Sequence, residues 1–250
     1  MDLSGNTILI TGGATGIGYE MAKAFLETKS NVIICGRREE RLREVQKTHP
    51  EIQYKVCDVS NESDRKSFVE WTIKNFNNLN IIVNNAGIQR DIDLARGLDE
   101  ITGRNDEIKI NFEAPIMLTA LFIPHLLKQK TPAIINVSSG LAFVPMARAP
   151  IYCATKSALH SYTVSLRYQL IKTGVKVIEI IPPAVDTELN TEGRAKRGSS
   201  GFGVSAYEFV QAVMKGLKDG KDEIGYGFTE KLNIASKAEL DNIFQRMNKN

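Results

Sequence analysis

The chain has 250 residues, of which 42% are hydrophobic and 24% charged, the make-up of an ordinary soluble protein with enough core for one large domain. A formal net charge of +3 is too small to indicate nucleic acid or a membrane surface, and the three cysteines, Cys35, Cys57 and Cys153, lack metal-ligand spacing and suit reduced thiols in the cytoplasm. The N-terminus carries no basic-then-apolar leader, and the longest apolar stretch, residues 114–127, is too short and too interrupted by Thr119, Pro124 and His125 to span a membrane.

In chain order, short β-rich apolar runs alternate with longer segments of helical period, the pattern of βαβ units around a parallel sheet. A strand at 7–11 leads through Thr11-Gly12-Gly13-Ala14-Thr15-Gly16-Ile17-Gly18 into a helix at 17–28. Glycine is needed where the backbone turns tightly against a pyrophosphate, and the helix behind it offers unpaired N–H groups and the positive end of its dipole. At the first strand-to-helix junction of such a chain, this cluster predicts nucleotide binding. The second strand, 32–35, ends in Gly36-Arg37-Arg38, where NAD binders usually place an acid for the ribose hydroxyls. A carboxylate would repel a 2′-phosphate whereas a guanidinium binds it bidentately, so NADP(H) is preferred, with NAD(H) possible. A solvated helix start is the competing explanation of the two arginines.

A helix at 39–48 and a strand at 53–56 bring the chain to Asp58, which either accepts from an adenine amino group or caps its own loop. Then come a helix at 63–75, a strand at 81–84, a helix at 106–129 and a strand at 133–138. In the next helix, 150–172, Tyr152 and Lys156 stand one turn apart, with Ser139 a short loop upstream. A free tyrosine titrates near pH ~10, and an ammonium on the same helix face favours its phenolate. A serine hydroxyl beside them suits a carbonyl or alcohol oxygen. The pair alone is equally explained by a packed tyrosine and a solvated lysine. His160, further along the helix, reads as a packing residue, and no His/Cys cluster supports a metal. After a strand at 176–181, the stretch 191–203 is rich in Gly, Ser and basic residues and predicts a mobile loop bordering a ligand crevice. Arg194, Lys196 and Arg197 within it read as a solvated charge run. A helix at 205–218, a short strand at 223–226 and a helix at 231–247 complete the chain, with no domain boundary between residues 1 and 250.

Together these residues resemble the short-chain dehydrogenase/reductase family, in its small single-domain branch. The resemblance rests on the ordered set Thr11-x-x-x-x-Gly16-x-Gly18, Cys57-Asp58-Val59, Asn84-Asn85-Ala86-Gly87, Asn111, Ser138-Ser139, Tyr152-x-x-x-Lys156 and Pro182-Pro183-Ala184-Val185-Asp186-Thr187. It implies a Rossmann-type doubly wound parallel sheet of about seven strands, flanked by helices on both faces. It also implies hydride transfer between a nicotinamide and a carbonyl or secondary alcohol. Tyr152 would be the general acid/base, Lys156 would lower its pKa and hold the nicotinamide ribose, and Ser139 rather than Ser138 would hold the reacting oxygen. Asn111 would brace a helix and a proton-relay water. Gly12, Thr15, Gly16, Ile17, Gly18, Arg37, Asp58, Val59, Asn84, Gly87 and Thr187 would bind the cofactor with Tyr152 and Lys156. A nucleotide-binding regulator on the same fold is the alternative, disfavoured by the intact Ser139, Tyr152, Lys156 and Asn111 set.

Two departures stand out. Pro182-Pro183 replaces the family's usual Pro-Gly, which removes a backbone donor and weakens the implied role of Thr187. The tail lacks the glycine-rich strand of a tetramer interface, so a dimer through helices 106–129 and 150–172 is expected. Ile34-Cys35-Gly36-Arg37, Asn85-Ala86-Gly87-Ile88-Gln89 and the Tyr152–Lys156 segment further resemble a bacterial subgroup associated with teichoic acid D-alanylation in Gram-positive organisms.

Overall fold

A computed structural model describes the chain except for residues 103–105, 197, 199–202 and 250. Buried apolar runs form the strands β1 (Thr7–Thr11), β2 (Asn31–Gly36), β3 (Gln53–Val56), β4 (Ile81–Asn84), β5 (Ala133–Val137), β6 (Lys176–Ile181) and, after a separate short pair, β9 (Glu223–Gly225). They lie side by side in the order β3-β2-β1-β4-β5-β6-β9, every pairing parallel. Such strands are covered on both faces, which is why they read as continuous hydrophobic runs instead of alternating ones.

Each strand sends alternate residues to opposite faces. Ile8, Ile10, Val32 and Ile34 meet Phe25 of α1 (Gly16–Glu27), Leu42 of α2 (Glu39–Thr48) and Phe209 of α8 (Ala206–Lys218). Leu9, Ile33, Ile82 and Ile134 meet Phe68 of α3 (Glu62–Asn75), Phe122 of α5 (Ala114–Leu126) and Leu166 of α6 (Pro150–Leu170). This is the doubly wound sheet that the sequence predicts. From β1 the chain builds β2 and β3 to one side and β4, β5, β6 and β9 to the other, and the carboxyl ends of the strands part at that reversal to leave a crevice.

Three segments differ from expectation. The helix expected at 106–129 is composite: α4 (Asp106–Ile108) runs into a wider π-helical stretch, Lys109–Glu113, and then into α5, with helical backbone angles through both junctions. The stretch expected as a mobile loop holds a short helix, α7 (Thr191–Lys196), and Val204–Ser205 (β8) pairs with Val185–Asp186 (β7). The tail expected as one helix is a 3₁₀ run, Gly227–Ile234, followed by α9 (Lys237–Met247). Ala235 is extended there, and Ser236 with Glu239 forms a capping box that starts α9 anew. Among the described residues no helix is long and apolar enough to cross a membrane.

Candidate active site

A cleft of about 1110 Å³ crosses the carboxyl ends of the strands and reaches from Arg37 and Arg38 to Tyr152 and Lys156. Its floor begins at the β1–α1 junction. Gly12 has φ +65°, and a Cβ there would meet the Cα of Ala86 at 3.0 Å, so glycine serves both the turn and the close approach. Gly18 lies outside the cleft; a Cβ on it would sit 2.4 Å from the Gly12 carbonyl oxygen, so it works by letting α1 pack onto the loop. Gly12, Thr15, Gly16 and Ile17 all face the cleft. Thr15 makes no side-chain cap to α1, and the first turn carries no acid. By contrast Asn61, Ser205 and Ser236 cap α3, α8 and α9. The uncapped end is the anion-binding arrangement, and a dinucleotide's pyrophosphate fits it.

At the far wall, Gly36, Arg37 and Arg38 follow β2 into the cleft. Arg38 pairs with Glu188 at 3.0 Å and reaches Thr15 Oγ1 at 3.4 Å, while Arg41 approaches Glu188 at 3.6 Å. Arg37 faces Asp58 at 4.0 Å. Glu188 and Arg41 escape sequence reasoning, because the Arg38–Glu188 contact joins residues 150 apart. Asp58 accepts from the Ser60 amide and hydroxyl at 2.9 and 2.7 Å, so it caps its loop while also lining the cleft beside Val59. Thr187 packs over the cradle, 3.1 Å from where a Cβ on Gly16 would lie. That contact survives Pro182-Pro183, whose first carbonyl accepts from the Gly140 amide.

Two residues in the expected cofactor set, Gly18 and Asn84, do not wall the cleft. Asn84 is not among the residues walling the cleft; its Nδ2 donates to Asn136 Oδ1 at 2.8 Å and Thr119 Oγ1 at 3.2 Å inside the core. The β4–β5 register places Asn84 directly beside Asn136, which fixes that inward direction. The next residue, Asn85, turns to the cleft and donates to the Thr11 carbonyl at 2.9 Å.

The chemical end gathers Ser139, Tyr152, Lys156 and Asn111. Ser138 is spent on the sheet, donating to the Ile180 carbonyl, whereas Ser139 caps the turn Gly140–Ala142 and lines the cleft with Tyr152. Tyr152 is only 6% exposed, and that burial pushes its phenol well above the usual range, with Ser139 pulling the other way. Lys156 is pushed down to about 8 by burial, opposed by the charge of Glu179. Its ammonium donates to the Val137 carbonyl at 2.8 Å and lies 5.6 Å from the Tyr152 ring centre. Burial thus disfavours the charged form of both groups.

Asn111 sits in the π-helical stretch, fully buried. Its Oδ1 accepts from the Ile88 amide at 2.9 Å, and its Nδ2 donates to the Ile88 carbonyl at 2.8 Å and to Thr155 Oγ1 at 3.2 Å. A Cβ on Gly87 would stand 3.4 Å from Asn111 Oδ1 and 3.6 Å from Lys156 Nζ, so these three meet at one point of the cleft floor. His160 stacks obliquely on Phe143, with ring centres 4.6 Å apart, and pairs with buried Glu179 at 2.8 Å, a packing role. Arg194 is not a free cation, since it donates to the Thr187 carbonyl and approaches Asp186 at 3.5 Å. Arg197 and the Lys196 side chain lie outside what the structure describes.

Residues 6–198 match a family model described as short chain dehydrogenase. An uncharacterized oxidoreductase of Bacillus subtilis, DltE, is 51% identical over 99% of this chain and 98% of its own, in keeping with the Gram-positive subgroup resemblance. A short chain dehydrogenase from Burkholderia cenocepacia, solved in complex with NADP, superposes with a TM-score of 0.83 at 25% identity, covering 100% of both chains. One from Burkholderia phymatum in complex with NAD superposes at 0.84 with 18% identity, over 100% of this chain and 98% of that one, a likeness of fold.

Proposed function

We propose that this chain, which belongs to the short-chain dehydrogenase family, is a single-domain NADP(H)-dependent oxidoreductase of the cytoplasm, interconverting a carbonyl and a secondary alcohol. The observation that carries the reading is one continuous cleft, running from the uncapped N-terminus of α1 to the buried Ser139–Tyr152–Lys156 group. Gly12, Thr15, Gly16 and Ile17 would hold the pyrophosphate, and Lys156 the nicotinamide ribose. The cofactor supplies the hydride when bound. Ser139 holds the reacting oxygen against Tyr152, which gives its proton to that oxygen in reduction and takes one in oxidation. A tyrosine raised by burial stays protonated at neutral pH, which suits the reductive direction. Positive charge brought beside it would favour the phenolate for the reverse step.

Arg37 and Arg38, with Arg41 behind them, favour a 2′-phosphate over a bare ribose. A non-catalytic regulator would have no use for a buried phenol in the cleft beside a serine and a depressed lysine. Around the reacting end Gln89, Asp91, Arg148 and Asn190 line the wall together with Ile88, Ile92, Val185 and Leu189, and those polar groups favour a substrate with hydrophilic substituents over a plain sterol or acyl chain. Met117, Val164, Tyr168 and Ile171 leave apolar surface exposed on α5, α6 and the turn just beyond α6, which fits a dimer through those helices. Screening paired hydrophilic and hydrophobic carbonyls for loss of NADPH absorbance tests the activity and substrate class together. Turnover is expected with hydrophilic members, and oxidation of NADPH with none of them would overturn the reading.

A further inference from the structure

Residues 88–92 form an irregular strap along the substrate wall, pinned at every second residue. Ile88 is held at both its amide and carbonyl by Asn111, and the Ile92 amide donates to the Arg148 carbonyl at 2.8 Å. Between them, the Arg90 amide donates to Glu107 Oε1 at 3.1 Å, and the Arg90 guanidinium forks onto the Asp106 carboxylate. Glu107 lies four residues before Asn111, one turn along the same helical rod, so the two side chains grip the strap like successive rungs.

Glu107 is an odd choice for a plain rung. It is fully buried, and Oε2 has no hydrogen-bond partner among the described residues. A glutamine would accept the same amide without burying an ionisable group, and an orphaned buried oxygen calls for an explanation. The charged groups beside Glu107 are Arg90 and Asp106. Burial raises its own carboxyl and Asp106 adds to that, while the Arg90 amide and guanidinium oppose both.

We propose that Glu107 is a positioning residue for the hydride-transfer chemistry, fixing the pocket-lining strap at Arg90 so that the substrate wall keeps its place beside Tyr152. The inference rests on the proposed role of Tyr152.

The test uses full-length protein and the best carbonyl of the screen, with NADPH oxidation followed at steady state. Glu107→Gln keeps the acceptor for the Arg90 amide, so KM should stay within about twofold of the wild type. Glu107→Leu should raise KM about fivefold or more, NADPH affinity being unchanged, because the strap is then released. Hydrogen exchange at the Arg90 amide should quicken about tenfold or more in Glu107→Leu and little in Glu107→Gln. Equal KM values in the two variants, or equal exchange rates, overturn the positioning role. Should Glu107→Leu fail to fold, Glu107→Ala carries the same expectations. A wild-type protein without turnover would refute the activity reading, while the exchange rates would still report on Glu107.

Discussion

The cofactor end of the cleft is framed by regular elements, with Gly12 to Ile17 between β1 and α1 and Asp58 after β3, whereas the substrate end is framed by irregular chain on both sides. At the first end backbone geometry does the work: a left-handed glycine, an uncapped helix and strand ends that can hardly move. At the second, side chains reach over long sequence separations. Asp91 accepts from Asn190 Nδ2 at 2.9 Å across 99 residues, and approaches Arg148 at 3.9 Å. A common ligand is met by the part of the molecule that the fold dictates, and an individual one by the part held by exchangeable contacts.

The largest effect expected lies where the two ends meet. Tyr152→Phe should reduce carbonyl turnover by ~10²–10⁴-fold while NADPH binding, followed by fluorescence, is preserved. Equal losses in both would dissolve the distinction between the ends. Next in size, Arg37→Asp should weaken NADPH by about 10–100-fold and NADH by less than about threefold in parallel titrations, a charge-assisted contact being lost to one ligand alone. On the substrate side, Arg148→Ala should raise KM by about three- to tenfold with the NADPH dissociation constant unchanged. Movement of the dissociation constant would show that the ends are not separable.

The smallest effect belongs to a pair outside the cleft. The hydrogen bond to Glu179 raises the His160 pKa despite desolvation, so the pair adds stability that is complete below about pH 6.5, the unfolded value, and is lost as pH rises through the folded one. His160→Gln should therefore melt a few degrees lower than the wild type in acid, with the gap closing in mildly alkaline buffer. A gap that widens with pH would show that the pair is not what holds β6 to α6.

The same division governs how much was legible beforehand. Ile8 to Ile10, Val32 to Ile34 and Ile134 to Ile135 announce buried parallel strands because both faces of each are covered, and the glycines announce the cradle because little else fits there. Tyr152, Lys156 and Ser139 were readable as spacing, and the structure brings them together. The inward direction of Asn84 is not legible in the sequence, because an asparagine at a strand end says nothing of its direction until the register with Asn136 is known. Glu188, Asp91 and Glu107 gave no local signal at all, since their partners are far along the chain or on a strap without period. The π-helical widening at Asn111 was equally hidden, as one extra residue in a turn leaves apolar spacing almost undisturbed. The break before α9 was hidden in a different way. Ser236 and Glu239 are a start signal, but they sit inside a pattern that reads as one amphipathic helix.

Strand order also bears on how the molecule comes into being. Of the strands in this sheet β1 is made first, one place from the central β4, and β2 and β3 complete one side before β4 opens the other. Each later strand adds to an edge already in place, so the chain assembles vectorially and never threads a strand between two others. The raw edge of β6 waits for β9, about forty residues later, and during that interval it is the point at which two nascent copies would mistakenly pair.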